Sequence, residues 1–152
     1  VTAYRTIIVG TDGSASSFRA VTAAGALAAA TGATLVLACA YHPMPERERA
    51  AAADALGDLA YKVTGSTPAE DALRAAKDRA LAAGATDVEL AAEPGDAVDV
   101  LVKLADERSA DLIVVGNRGL NSLAGRLLGS VPSNVSHRAE CDVLIVHTTS
   151  GR

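Results

Sequence analysis

The sequence has no tryptophan, one phenylalanine, three tyrosines and two cysteines among its 152 residues, and these shortages exclude several classes of protein. Cys39 and Cys141 stand far apart, each in or beside an apolar strand-like run, which is neither a disulfide framework nor a metal-ligand spacing. They read as spectator thiols, since free cysteine is usually buried. No apolar run approaches the roughly 18 residues that a membrane span needs. Val1 to Arg5 lack the charged and apolar regions of a secretory signal. Positive charge is also short: 14 Lys and Arg face 18 Asp and Glu, for a formal net charge of -4. That sign opposes general attraction to nucleic acid or an anionic membrane. The expectation is a cytoplasmic protein with neither nucleic acid nor membrane as partner.

What is plentiful is small and branched aliphatic. Hydrophobic residues make up 49% of the chain, mostly Ala, Val and Leu, so the core is built without large rings. A chain of this length buries about two-thirds of the surface that its unfolded form exposes, enough for a single domain over residues 1–152.

Five β-branched or apolar runs punctuate the sequence: Thr6-Ile7-Ile8-Val9, Thr34-Leu35-Val36-Leu37, Asp87-Val88-Glu89-Leu90, Leu112-Ile113-Val114-Val115 and Val143-Leu144-Ile145-Val146. Helical patterns lie between them. One runs from Ser14, a suitable cap, to Ala30 and stops at Gly32; the next runs from Pro68 to Ala83 and stops at Gly84. A third begins near Asp96 and carries Val98, Leu101, Val102 and Leu104-Ala105 at spacings of three and four, one apolar helix face. Parallel strands need a crossover between them, and continuous apolar strands imply burial on both faces. The fold class is therefore α/β, a doubly wound parallel sheet with helices on both sides. Ligands of such sheets bind outside the carboxyl ends of the strands, where the strand order reverses.

One stretch departs from the rhythm. Pro43 and Pro45 interrupt it and Glu46 to Tyr61 suit an Ala-rich helix, so His42 to Thr67 reads either as a lid over the strand ends or as a tolerated surface insertion.

Two loops follow strands that end in Val-Gly: Gly10-Thr11-Asp12-Gly13-Ser14 after the first and Gly116-Asn117-Arg118-Gly119 after the fourth. Glycine at that place lets a ligand approach the backbone with no Cβ in the way, or simply makes a turn. The second loop continues to Gly129-Ser130-Val131-Pro132, ahead of a last helix that Ser130 would cap with Pro132 in its first turn. Unpaired amides at a helix N-terminus attract anions, so amides near Gly129 and Ser130, with the Ser130 hydroxyl, are candidates to hold phosphate.

The spacing of Gly116, Gly119, Gly129 and Ser130, the Val-Gly-Thr-Asp-Gly-Ser opening and the closing Asp142-Val143-Leu144-Ile145-Val146 together resemble the universal stress protein (UspA-like) family over essentially the whole chain. The resemblance implies a five-stranded, Rossmann-like sheet of the adenine nucleotide alpha hydrolase-like type with strand order 3-2-1-4-5. It implies an adenine nucleotide as partner and a role in stress response. Gly10, Thr11 and Asp12 would lie at the ligand, with Asp12 on ribose hydroxyls or a metal-bridged phosphate. The backbone near Ala40 would meet the adenine edge, and Gly116, Asn117, Arg118, Gly119, Gly129, Ser130 and Val131 would surround ribose and phosphates. It further implies a homodimer paired through Val143 to Val146, where an exposed edge strand would favour pairing.

Tyr61-Lys62-Val63-Thr64-Gly65 and Ala124 to Pro132 are similar to a mycobacterial-type subgroup of small family members associated with cyclic AMP as well as ATP. Cyclic AMP is the expected ligand, with ATP also accepted and magnesium only with ATP. No Lys follows the glycines as in a Walker A loop, which leaves a triphosphate without a built-in ammonium partner, although Arg118 could neutralise one. No Gly-x-Ser-x-Gly elbow or His-Glu-x-x-His is present, and His42, His137 and His147 are isolated, so no catalytic residue is expected. A slow ATPase with Asp12 holding a metal ion is the enzyme alternative. A structural or partner-binding protein with a vestigial pocket is the other.

Overall fold

The computed structural model describes residues 4–43, 67–117 and 129–148. Five strands, β1 (Thr6–Gly10), β2 (Thr34–Tyr41), β3 (Asp87–Pro94), β4 (Leu112–Gly116) and β5 (Asp142–Val146), form one sheet in the order β3-β2-β1-β4-β5. All four pairings are parallel. The described helices are α1 (Ala15–Thr31), α2 (Thr67–Ala82), α3 (Ala97–Arg108) and α4 (Ser130–Arg138). This is the doubly wound order that the sequence resemblance implies.

Side chains alternate across a strand, and here both faces are covered. Ile7, Val9, Leu35, Leu37, Leu112 and Val114 pack in one layer with the Ala-rich helices α1 and α2. Ile8, Val36, Ala38, Ile113 and Val115 pack in the other with α3 and α4. The scarcity of large side chains has a direct consequence between α1 and α2. A Cβ on Gly25 would lie 3.0 Å from the Ala80 carbonyl oxygen and 3.1 Å from its Cα, so the two helix backbones approach too closely for any side chain there.

Helix ends follow their local chemistry. The Ser14 side chain accepts the Ser17 N–H, and Gly32 closes α1 in the left-handed region at φ 72°. At the opposite end of the sheet from those strand termini that carry the loops, the Asp111 carboxylate accepts the Arg5 and Thr6 N–H groups at 2.7 and 3.0 Å and pins the entry to β1.

Two expectations need correction. Strands β2 and β3 run four residues beyond the apolar runs that announce them, through the pairs Ala38↔Ala91, Cys39↔Ala92, Ala40↔Glu93 and Tyr41↔Pro94. Alanine carries little strand preference by itself, and cross-strand pairing supplies what propensity lacks. Ser130 is the first residue of α4 and not its cap; Gly129 holds the cap position, with no side-chain cap bond. The Ala-rich helix expected over Glu46 to Tyr61 lies outside the described residues, as does most of the segment from His42 to Thr67.

Strands β3 and β5 are the two sheet edges, and Leu90 and Leu144 on them are each 40% exposed. Among the described residues no helix is long and apolar enough to cross a membrane.

Candidate functional site

Strand β1 has β2 on one side and β4 on the other, so the chain winds away in both directions from this point. In a doubly wound sheet this point, outside the carboxyl ends of β1 and β4, is where a crevice opens. A cleft of about 390 Å³ occupies that place. The size suits a small organic ligand. The β1 loop and the start of α1 contribute Thr11, Asp12, Ser14, Ser16 and Ser17; α3 and α4 contribute Ala97, Val100, Leu101, Val131 and Pro132. Hydroxyls and a carboxylate therefore come from one pair of elements and apolar surface from the other.

The β1 loop is held by its own residues, the start of α1 and one bond to β2. Thr11 is buried; its N–H donates to the Ala38 carbonyl at 2.9 Å, its hydroxyl lies 2.7 Å from that of Ser17, and it accepts the Gly13 N–H at 3.1 Å. Gly13 takes φ 85°, the left-handed region that glycine enters without cost. The Ser14 N–H donates to Asp12 Oδ1 at 2.9 Å. Partial burial pushes the Asp12 carboxyl upward, but hydrogen bonds from the side chain and backbone of Ser14 and from Ser17 outweigh it, and the pKa falls below its ordinary value. Asp12 is thus an anion at the cleft at neutral pH. Burial, and after it the Asp12 charge, raise the Cys39 pKa, which keeps that thiol neutral. Cys141 is also unpaired, and its pKa is raised chiefly by burial.

Of the residues that the sequence singles out, Gly10, Thr11, Asp12, Ala40, Gly116 and Val131 line the cleft together. Asn117, Gly129 and Ser130 do not line it. The Asn117 carboxamide oxygen accepts from both the N–H and the hydroxyl of Thr148, at 2.8 and 3.1 Å. The Gly129 N–H donates to the Asn117 carbonyl at 3.0 Å and so is committed to protein. The amides of Ser130 and Val131, in the first turn of α4, have no intrahelical acceptor, and Val131 lines the cleft. Arg118 and Gly119 lie outside the described residues.

Packing gives the two strand-end glycines a meaning that sequence reading did not. A Cβ on Gly10 would lie 3.1 Å from Leu101 Cδ1, and one on Gly116 would lie 2.9 Å from Thr148 Cγ2. Both glycines make room for protein first.

Several cleft residues escaped sequence reading. Ser16 and Ser17 follow the helix cap and look like ordinary first-turn residues. His42, from the end of β2, lines the mouth, and its Nε2 lies 3.2 Å from Asp96 Oδ1 at the start of α3, with both side chains exposed. Thr148, which does not line the cleft but contacts residues that do, had no signal at all, being the first of two consecutive threonines beyond the last strand. Among the described residues no group of three His, Cys, Asp or Glu is arranged to hold a metal ion.

Comparison with known proteins agrees with this architecture. The sequence profile of the Universal stress protein family matches residues 3–147. A universal stress protein of Mycobacterium tuberculosis is 58% identical over 149 residues, covering 98% of this chain and 100% of the relative. Among solved structures, a universal stress protein in complex with cAMP is 51% identical with a TM-score of 0.76, covering 97% of this chain and 100% of that one. The universal stress protein of Lactobacillus plantarum is 25% identical with a TM-score of 0.72, covering 94% and 97%. With fold and sequence in agreement along nearly its whole length, the chain belongs to the universal stress protein family.

Proposed function

We propose that the protein binds an adenine nucleotide in the cleft between the β1 and β4 loops, cyclic AMP in preference and ATP as well, and serves as a sensor or reservoir without turning its ligand over. The observation that carries this reading is the division of the cleft lining. Ala40, Ala97, Val100 and Leu101 offer an apolar slot for a purine, while the α1 hydroxyls, Asp12 and the first-turn amides of α4 offer partners for ribose and phosphate. The relative crystallised with cAMP supports the choice of ligand.

In this reading Gly10, Thr11, Asp12, Ala40, Gly116, Ser130 and Val131 surround the nucleotide, Asn117 and Gly129 hold the loop, and Arg118 and Gly119 complete it. Magnesium would arrive only with ATP, carried by the phosphates, with Asp12 as the nearby carboxylate; that ion typically takes one or two carboxylates beside phosphate oxygens. Asp12 is the one carboxylate among the described residues that line the cleft, and the site is read as binding its ligand without hydrolysis. The protein acts as one cytoplasmic domain over residues 1–152, paired with a second copy through the β5 edge, where Leu144 is exposed.

Titration calorimetry with cyclic AMP and with ATP tests the proposal. Both should bind saturably, cyclic AMP more tightly, and incubation with ATP and magnesium should release no product in multiple turnovers. Absence of binding by either nucleotide defeats the reading, and sustained turnover abolished by Asp12→Ala replaces it with an ATPase.

A further inference from the structure

Thr148 stands two residues beyond β5, is 2% exposed and does not line the cleft, yet every polar atom it has is used. Its N–H and hydroxyl both donate to Asn117 Oδ1, its hydroxyl oxygen accepts the Ser16 hydroxyl at 2.9 Å, and its carbonyl accepts Arg19 Nη1 at 2.8 Å. Its methyl fills the space that a Cβ on Gly116 would take. Through Asn117, whose carbonyl holds the Gly129 N–H, the same residue reaches the cap of α4. One buried threonine therefore braces three pieces of the cleft wall that are remote in sequence: the start of α1, the end of β4 and the start of α4.

The proton directions in this network are fixed by the backbone. An amide N–H can only donate, so the Thr148 N–H makes the Asn117 atom facing it the carbonyl oxygen. That oxygen can only accept, so the Thr148 hydroxyl proton points to it. The remaining contact of the Thr148 oxygen must then be an acceptance, and the Ser16 proton points into it. Ser16, which lines the cleft, is left with lone pairs alone on its open side.

We infer that Thr148 is a positioning residue that fixes Ser16 as a hydrogen-bond acceptor toward the cleft, and that Ser16 so held reads a hydroxyl donor on the ligand, the ribose hydroxyl of a nucleotide. This rests on the nucleotide-binding reading above. Cyclic AMP keeps one ribose hydroxyl, at the 2′ position, so the network selects ribose over 2′-deoxyribose. A polar group built to pair with a ligand hydroxyl rejects the analogue that lacks it.

The test is a comparison of cyclic AMP with 2′-deoxy cyclic AMP by calorimetry on wild type, Thr148→Val, Thr148→Ser and Ser16→Ala, with melting temperatures recorded for each. Wild type should prefer the ribonucleotide by about tenfold, the worth of one good hydrogen bond. Thr148→Val keeps the side-chain shape but removes the hydroxyl, which frees the Ser16 proton to turn outward, so the preference should shrink to about twofold or less by the same reasoning. Thr148→Ser should restore it. If the valine variant does not fold, Ser16→Ala on the helix surface carries the test and should lose the preference. Equal affinity of wild type for both nucleotides overturns the inference, as does a preference unchanged in folded Thr148→Val or in Ser16→Ala. Failure of wild type to bind either nucleotide defeats the binding proposal itself, a distinguishable result.

Discussion

Strands β1 and β4 end in the same dipeptide, Val9-Gly10 and Val115-Gly116, side by side at the centre of the sheet, yet the loops that follow are stabilised in different ways. The β1 loop is closed by near neighbours: Thr11, Asp12, Ser14 and Ser17 bond within a few residues of one another. Asn117, which begins the β4 loop, is braced from a distance, by Thr148 from beyond the last strand. Gly10 faces the flexible end of Leu101, whereas Gly116 faces a threonine tied on every side. A repeated sequence motif thus marks a repeated position in the fold but not a repeated mechanism.

Replacing each glycine by alanine puts the comparison at greatest risk. Gly116→Ala should cost about 1 to 3 kcal/mol of folding stability, the usual range for forcing extra atoms into a packed site. Gly10→Ala should cost less, about 1 kcal/mol or under, because a leucine methyl can turn aside. Urea denaturation of both variants gives the answer, and equal losses would show that the two neighbours yield alike.

A smaller effect probes the local closure of the β1 loop. Ser14→Ala removes the side-chain oxygen that accepts the Ser17 N–H and should lower stability by about 1 kcal/mol. A matching Ser130→Ala should change stability very little, since Gly129 and not Ser130 holds the cap of α4, and any loss should appear in nucleotide affinity. A larger stability loss from Ser130→Ala than from Ser14→Ala would reverse the assignment of the two caps.

The smallest expected effect concerns acid. The folded Asp12 carboxyl sits below its ordinary value of 3.8, so its contribution is present above that pH and is lost as the pH falls through 3.8 toward the lower folded value. The side chain is exposed, and solvent screening limits the contribution to about 0.5 kcal/mol or less. Denaturation midpoints measured between neutral and acid pH should show this increment in wild type and not in Asp12→Asn. Parallel curves for the two proteins would mean that the loop does not depend on the charge.

Much of the fold can be read in local sequence. Strands β1, β4 and β5 announce themselves by runs of β-branched residues, and Ser14, Gly32 and Gly84 stop or start helices by backbone chemistry that needs no partner. The continuation of β2 through Ala38 to Tyr41 could not be read that way, because alanines become a strand only when β3 runs beside them. The site divides similarly. Gly10, Thr11, Asp12, Gly116 and Val131 lie in or next to motifs with recognisable spacing. Val100 and Leu101 look like any apolar helix face, and nothing local says that their side chains border a cleft.

By itself the sequence determined the cores of the five strands and the positions of the described helices, that the central strands are buried on both faces, and that a helix starts near Ser130 after the fourth strand. Those features arise from periodicity, β-branching and the conformational freedom of glycine, all properties of a residue and its near neighbours. Tertiary structure alone decided that the Gly129 amide is committed to Asn117, why Gly116 lacks a side chain, and that Thr148 joins α1, β4 and α4. Hydrogen-bond directions and close contacts between remote segments exist only once the sheet has brought those segments together, so no window of sequence contains them.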